Sequence, residues 1–191
     1  MARVKEFDET EVLTKAMQLF WQQGYEKTSM QELVDVMGIH RRSIYDTFGD
    51  KHQLFLKSLA LYEQNLAEKI NQRIPVELPT GERIRRLLAI TLDREADQPV
   101  GCLVVNTATE LALIDDEAKL RVAAIFHRSE NYLLTVLTQG QKKGEIAQAA
   151  SLESLAHYFH TVWLGVRVDA KISSDPAEIF QTIDHALQVL S

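Results

Sequence analysis

The chain has 191 residues, 46% of them hydrophobic, which is enough apolar material for one large core or two small ones. Its single cysteine excludes a disulfide within the chain and is typical of a reducing compartment. The longest charge-free apolar stretch, Ser154 to Val166, is shorter than the about 20 residues that a membrane span needs, and the N-terminus has no apolar signal segment. We therefore expect a cytoplasmic protein without membrane association.

The formal net charge of −6 argues against a protein dedicated to nucleic acid, because such proteins are often strongly basic. The excess acid is unevenly distributed, however. Residues 1–60 contain 8 Lys and Arg against 9 Asp and Glu, so most of it lies in the remainder of the chain. Since steering depends on the distribution of charge as well as its sum, a local basic face near the N-terminus remains possible.

The first helix is predicted over residues 8–25. Asp8 is followed by Glu11 at capping-box spacing, and Ala16 and Phe20 continue an apolar face that stops at Gly24. Two short helices follow. Thr28 and Ser29 each have a Gln or Glu three residues further along, so either hydroxyl can cap the next helix.

Gly38 can adopt the positive φ that ends this second helix sharply, and a third helix then runs to about Phe48. Two such helices joined at a glycine predict a helix-turn-helix, whose second helix lies in the DNA major groove. Arginine offers paired donors to guanine N7 and O6, whereas hydroxyls and lysine suit phosphate oxygens. We predict a DNA-binding surface comprising Thr28, His40, Arg41, Arg42, Ser43, Tyr45, Thr47 and Lys51.

Each of these residues also has a structural interpretation. The two arginines could form a solvated helix face, and Tyr45 could be a packing aromatic. The wider pattern favours DNA binding, because it resembles the DNA-binding domain of the TetR (tetracycline-repressor-like) family of transcriptional regulators. The resemblance covers about a quarter of the chain. It rests on residues 16–20, Gly24-Tyr25, residues 28–30, Gly38-Ile39, residues 43–45 and residues 48–51.

Three positions depart from the usual pattern of that family. His40 replaces a small capping residue, Arg42 stands where Gly or Ala is common, and Val34 stands where Ala is usual. The first two departures predict a different operator sequence without changing the assignment.

Asp50 is predicted to cap a long fourth helix with an apolar face that extends to Ile70. At about 1.5 Å per residue this helix reaches roughly 30 Å, which can join a DNA-binding head to a separate body. Prolines and a glycine then interrupt the periodicity between Ile74 and Gly81. Further helices are predicted over residues 80–95, 101–113, 115–143 and 151–170, with a last one from Pro176.

The expected fold is therefore all-α. An N-terminal three-helix helix-turn-helix DNA-binding domain, residues 1–50, is joined by a long helix to a C-terminal helical ligand-binding and dimerisation domain, residues 51–191.

The segment after Gly101 resembles the start of the sixth helix in part of the TetR family, where it lines or adjoins the effector pocket. Helical spacing places Cys102, Asn106 and Glu110 on one side. Cys102 could equally be a small buried filler. A reactive thiol is less favoured, because no neighbouring cation would lower its pKa. We predict an effector site that includes Cys102, Asn106, Phe126, His127, His160 and Trp163.

The last two helices carry apolar faces wide enough to pack on the body and on a second subunit. A two-fold dimer formed by these faces would match palindromic DNA half-sites. We predict a homodimer interface that includes Phe159, Val166, Phe180, Ile183 and Leu187.

No catalytic pattern is evident. The sequence has no glycine-rich phosphate loop and no Gly-x-Ser-x-Gly segment. His157 and His160 could share a metal ion with His127 or Cys102, but helical histidine pairs are more often packed or solvated. We expect a protein that is not an enzyme, with no catalytic residue, no metal site and no cofactor.

The expected function is a homodimeric, ligand-responsive regulator, in particular a repressor released from a palindromic operator in double-stranded DNA by a small-molecule effector. An activator role stays open. The alternative from another class is an all-α ligand-binding or signalling protein in which the helix-turn-helix serves only packing.

Overall fold

A computed structural model describes residues 7–95, 98–147, 151–173 and 175–190. Within these ranges the chain forms α-helices and one 3₁₀ turn, and contains no β-strand. The all-α prediction is confirmed. The helices are α1 (Glu9–Gln23), α2 (Met30–Met37), α3 (Arg41–Phe48), α4 (Lys51–Arg73), α5 (Thr80–Ala89), α6 (Leu103–Leu111), α7 (Asp116–Lys142), α8 (Leu152–Asp169) and α9 (Pro176–Leu187), followed by the 3₁₀ turn Gln188–Leu190.

Side-chain caps fix where several helices begin. The Asp8 carboxylate accepts hydrogen bonds from the N–H groups of Thr10 and Glu11, and Asp50 accepts one from Gln53 N–H. At α2 the capping box is formed by Ser29: its hydroxyl accepts from Glu32 N–H, and Glu32 accepts from Ser29 N–H. These caps place each helix start within two residues of its predicted position.

Helix α5 is shorter than predicted, because it ends at Ala89 and not near Glu95. Ile90 and Leu92 donate their N–H groups to carbonyls only three residues earlier, so the chain tightens into successive turns. Two β-branched residues, Ile90 and Thr91, lie at this point, where helix propensity is low.

The hydrophobic residues form two clusters. The first joins α1–α3 and the N-terminal half of α4 to Cys102–Leu111 and to the start of α7, with Phe20, Leu33, Ile44 and Leu54 fully buried. The helix-turn-helix region therefore shares its core with α6. The predicted division at residue 50 stays a prediction.

The second cluster joins α5, α7, α8 and α9, and includes Leu88, Leu133 and Phe159. Helices α7 and α8 pack along each other over much of their length. The C-terminal half of α4, through Leu66 and Ile70, packs against this cluster too. Helix α4 thus connects the two cores. None of the described helices is both long and apolar enough to cross a bilayer.

Candidate nucleic-acid interface and ligand cavity

Helix α3 presents one buried side and one exposed side. Ile44 is 0% exposed and Phe48 only 4%, and these two residues fix the helix on the core. His40, Arg41 and Arg42 are exposed at the N-terminal end of the helix. Arg42 lies two residues before Ile44 and so about 200° around the helix from it, which turns Arg42 outward when Ile44 is fixed on the core.

The first turn of α3 is rich in donors. His40 precedes the helix without making a side-chain cap, so the first backbone N–H groups are not occupied by it. The first turn contains no acidic residue. Arg42 Nε lies 3.6 Å from Asp46 Oδ2, but both side chains are mostly exposed, 91% and 69%, so the pair is weak and Arg42 can turn to another anion.

The remaining predicted contacts surround this turn. Tyr45 is exposed at 47%, whereas Ser43 and Thr47 are half-buried. Lys51 lies at the start of α4 with its ammonium 4.3 Å from the centroid of the Tyr25 ring. Lys57 donates to the carbonyls of Thr47 and Phe48 and so caps the C-terminus of α3.

Thr28 does not fit the predicted DNA-binding role. Its side chain is 0% exposed. Its hydroxyl donates to Gly24 O at 2.6 Å and accepts from Gln23 Nε2. The prediction was wrong for this residue, because its hydroxyl closes the turn between α1 and α2 and is unavailable to a phosphate.

Helix α6 holds the loop after α1. The Glu110 carboxylate accepts the N–H groups of Tyr25 at 3.0 Å and Glu26 at 2.9 Å. Gly24 makes this approach possible: its φ is +87°, and a Cβ there would lie 2.8 Å from Glu110 Oε2. Asn106 Nδ2 also donates to Trp21 O at 3.3 Å. Two residues of α6 thus bind the backbone at the end of α1.

A second connection lies where α6 turns into α7. His52 Nε2, in the first turn of α4, lies 2.7 Å from Asp115 Oδ2. Burial alone would raise the pKa of Asp115, but hydrogen bonds from Ala118 N–H and His52 hold it below its ordinary value. Asp115 therefore carries its negative charge at neutral pH, and the pair ties the start of α4 to α7.

A cavity of about 610 Å³, counting its open mouth, lies between α1, α4 and the segment before α6. Its apolar wall includes Met17, Leu66 and Ile90. Trp21 contributes from α1 and stacks edge-on against Tyr62 of α4, with ring centroids 4.9 Å apart. Part of the wall therefore belongs to α1, the helix that precedes the helix-turn-helix and shares its core.

The polar side of this first cavity is cationic. Arg167, Lys69 and Arg94 line it, and none of the described lining residues is acidic. Arg167 is only 1% exposed, and its guanidinium carbon lies 3.5 Å from the centroid of the Trp163 ring. Burial raises the pKa of Tyr62 well above its ordinary value, so the phenol stays protonated.

A second cavity of about 600 Å³ lies on the other side of Leu66, between α4 and α7. Leu66, Ile70, Ile125 and Trp163 give it an apolar wall. Leu66 lines both cavities. Of the stacked pair, Arg167 lines the first cavity and Trp163 lines the second.

Only one of the six predicted effector residues, Trp163, lines either cavity. Cys102 is buried, follows Gly101 of the wall of the first cavity, and lies close to the phenol of Tyr62. Asn106 binds Trp21 O and accepts from Lys171 Nζ, so it is occupied structurally. We therefore place Cys102 and Asn106 beside the cavity.

The other three predicted residues lie further along α7 and α8. His127 is exposed on α7 and lines neither cavity, so its predicted role stays a prediction that neither cavity supports. Phe126 packs edge-on against His160, with ring centroids 5.1 Å apart. His160 is 3% exposed and lies 3.4 Å from Glu130, and burial lowers its pKa. Among the described residues, no group of three or more potential ligands is placed to hold a metal ion.

The predicted dimer residues divide into two groups. Phe159, Val166 and Ile183 are at most 3% exposed in the single chain, so they cannot form a contact surface, and the prediction was wrong for them. Their apolar character serves the second core. Phe180 and Leu187 are only partly buried and remain candidates.

The residues that sequence reasoning missed are Met17, Trp21, Tyr62, Lys69, Arg94 and Arg167 around the first cavity. One signal was present. Arg167 continues the buried side of α8 four residues after Trp163, and a charge within an apolar stripe is rarely structural filler. The others come from distant segments and carry no local pattern.

Comparison with known proteins agrees with this geometry. A model described as "Bacterial regulatory proteins, tetR family" matches residues 12–57, and one described as "Tetracyclin repressor-like, C-terminal domain" matches residues 80–186. The chain is 30% identical to an uncharacterised HTH-type transcriptional regulator, YezE of Bacillus subtilis (strain 168), over 100% of both chains. It is 27% identical to the HTH-type transcriptional repressor ComR of Escherichia coli (strain K12), over 98% of this chain and 90% of that protein.

The fold is similar to solved structures as well. A cysteine mutant of the TetR family transcriptional regulator CifR, complexed with 26-bp double-strand operator DNA, superposes with a TM-score of 0.89 at 27% identity over 100% of both chains. A TetR family regulator from Cytophaga hutchinsonii superposes with a TM-score of 0.87 at 15% identity, over 97% of this chain and 96% of that one, which shows likeness of fold alone.

Proposed function

Because the chain belongs to the TetR family of bacterial transcriptional regulators, we propose that it is a repressor that binds a palindromic DNA operator as a homodimer. A small molecule bound in the helical body releases it. The protein acts in the cytoplasm, by binding and not by catalysis. The observation that carries this proposal is the exposed donor face of α3, where His40, Arg41 and Arg42 project from a helix anchored by Ile44 and Phe48.

The DNA contacts follow from the positions of these donors. Arg41 and Arg42 enter the major groove with the first turn of α3 and read base edges, and Tyr45 and Lys51 contact phosphates. Thr28 is omitted, because its hydroxyl is bonded internally. The chain's acidic balance does not oppose this arrangement, since no acidic residue lies in the first turn of α3.

The homodimer uses the outward face of α8 together with α9. Tyr158 and Val168 are exposed at 39% and 44%, and Gly165 lies between them on the same face. A Cβ at Gly165 would meet no atom of its own chain within 4 Å, so another helix can approach closely there. A two-fold axis through this face would relate two copies of α3, as half-sites about 34–36 Å apart require.

Release requires a ligand that binds the non-DNA-binding arrangement more tightly, typically by about 1–3 kcal/mol. The first cavity is suited to this, because Met17 and Trp21 of α1 form part of its wall. Gly101 lines it immediately before α6, which in turn holds the end of α1 through Glu110. A ligand there contacts α1 of the DNA-binding head directly and also the segment that leads into α6.

Gel-shift titration of the full-length protein against DNA fragments flanking its own gene tests the proposal. We expect a discrete complex with one inverted repeat. Arg41→Ala and Arg42→Ala should each cost about 1–3 kcal/mol of operator affinity and relax specificity at one position. Arg86→Ala, which removes an exposed arginine from α5, is the matched control and should bind normally.

Two results would contradict the proposal. One is wild-type binding to every fragment with equal affinity, and the other is unchanged operator affinity in an Arg41→Ala, Arg42→Ala double variant. Either would favour a helical ligand-binding protein whose helix-turn-helix only packs.

A further inference from the structure

We propose that the first cavity binds an organic anion, a carboxylate carried on an apolar body, and that the buried guanidinium of Arg167 pairs with the carboxylate. This inference rests on the proposed function, because it names the chemical class of the effector. It is tested below by ligand binding without DNA, so that it can fail independently of operator binding.

Arg167 is the first observation. Its side chain is 1% exposed, and its Nη2 atom has no hydrogen-bond partner among the described residues. No carboxylate in the described part of the chain lies within ion-pair distance of it. A buried charge without a partner is strongly unfavourable, and the face of Trp163 at 3.5 Å offsets only part of that cost. An anion in the cavity supplies the missing partner.

A second donor without a partner belongs to a residue of the same wall. Trp21 lines the cavity, and its buried Nε1 atom has no hydrogen-bond acceptor in the described structure. An indole N–H can only donate, so the complementary group must be an acceptor. A carboxylate offers two oxygens that accept several hydrogen bonds, and it matches the planar fork of an arginine.

The electrostatics of the wall agree. Lys69 and Arg94 line the cavity beside Arg167, and none of its described lining residues is acidic. Burial lowers the pKa of Lys69, although nearby Asp93 and Glu95 oppose this effect. Asp93 itself pairs with Arg73 at 3.1 Å and does not line the cavity. A cationic, partly dry wall favours an anion over a neutral or cationic molecule.

The remainder of the wall defines the body of the ligand. Met17, Leu66, Ile90 and Pro99 are apolar, and the second cavity begins on the other side of Leu66. Inorganic phosphate would satisfy the donors but leave this apolar surface empty, so we expect it to bind far more weakly than an organic carboxylate.

The two tryptophans of the chain provide a direct readout, because Trp21 lines the cavity and Trp163 stacks on Arg167. Octanoate and phenylacetate are titrated into the DNA-free, full-length protein, with their methyl esters and inorganic phosphate as comparisons. We expect saturable fluorescence changes and a rise in Tm with at least one carboxylate. The methyl esters and phosphate should bind at least about tenfold more weakly.

Arg167→Met tests the assigned residue. It should weaken carboxylate binding by about tenfold or more, because a charge-assisted pair is lost. Its ligand-free Tm should equal or exceed that of wild type, because an unpaired buried charge is removed. Arg128→Met, at an arginine on the wall of the second cavity that pairs with Glu63, is the matched control and should bind carboxylates as wild type does.

Equal binding of esters and carboxylates, no response to either carboxylate, or unchanged affinity in Arg167→Met would overturn the inference. A fall in the ligand-free Tm of Arg167→Met would assign the guanidinium to folding and count against it as well. None of these results would disturb operator binding, which is measured separately.

Discussion

We propose that Lys51 serves DNA binding through a phosphate and touches no base. Its ammonium lies 4.3 Å from the centroid of the Tyr25 ring, which holds the charge close to the recognition helix. Lys51→Ala should therefore weaken binding to all sequences alike and lower the slope of log K against log salt by about one. Gel shifts at several salt concentrations measure this slope. Lys143→Ala, at an exposed lysine near the end of α7, should leave it unchanged.

His160 makes the stability of the body depend on pH. Burial lowers its pKa, so the folded protein keeps it neutral while the unfolded chain takes up a proton near pH 6.5. Between these two pKa values the unfolded state binds more protons, and the free energy of unfolding therefore falls as the pH falls below about 6.5. The contribution is fully present above the unfolded pKa.

We expect His160→Gln to flatten this decline between about pH 7 and pH 5, as measured by denaturant unfolding. His127→Gln, which changes an exposed histidine of α7, should retain the wild-type decline. An equal pH dependence in all three proteins would show that the pKa of His160 is the same in the folded and unfolded states.

At the scale of elements, α6 acts as the connection between the body and the end of α1. Glu110→Gln keeps the size of the side chain but leaves one oxygen for two N–H groups, those of Tyr25 and Glu26. We expect a loss of about 1 kcal/mol in the free energy of unfolding and faster amide hydrogen exchange at these two positions. Glu153→Gln, an exposed change in the first turn of α8, should affect neither.

Gly24→Ala changes the other partner in the contact between Glu110 and the end of α1. The alanine must accept a φ of +87° and a Cβ within 2.8 Å of the Glu110 carboxylate, so it should destabilise the protein more than Glu110→Gln does. Thermal unfolding of both variants gives the comparison. If Gly24→Ala is as stable as wild type, α6 does not hold the loop as tightly as the geometry indicates.

The elements also show what the sequence could predict. The starts of these helices could be predicted from sequence, because Asp8, Asp50 and Asp175 cap N–H groups no more than three residues away. The cavity could not, because Trp21, Tyr62 and Arg167 are brought together from three helices far apart in sequence. Local pattern correctly predicted that α3 exposes polar side chains, but it missed the burial of Thr28, whose neighbours in space decide its role.

For the whole molecule, the same limit applies to the dimer. Hydrophobic periodicity led to the prediction that the most apolar side of α8, with Phe159 and Val166, forms the dimer. In the structure that side is buried in the core of the same chain. A dimer surface is a moderately apolar face that folding leaves uncovered. Such a face can be chosen only when the buried side is known, and on α8 we propose the exposed face with Tyr158, Gly165 and Val168.

Sedimentation at micromolar concentration should therefore find a wild-type dimer that Val168→Asp weakens by about tenfold or more without loss of fold, because an unpaired charge is placed in the interface. Val76→Asp, at an exposed valine between α4 and α5, should dimerise normally. Phe159→Ala should instead cost about 3 kcal/mol or more of folding stability. A wild-type monomer, or a dimer insensitive to Val168→Asp, would place the interface elsewhere.

Trp21 belongs to two sites at once, since its indole lines the first cavity and its carbonyl receives the hydrogen bond from Asn106. Selection for a new inducer would therefore act on a residue that also helps to fix the position of the DNA-binding head when no inducer is bound. We expect lineages that change inducer to pass through forms with altered basal expression of their target genes. Compensating substitutions in α3 would then restore operator occupancy, so that inducer choice and operator choice evolve together.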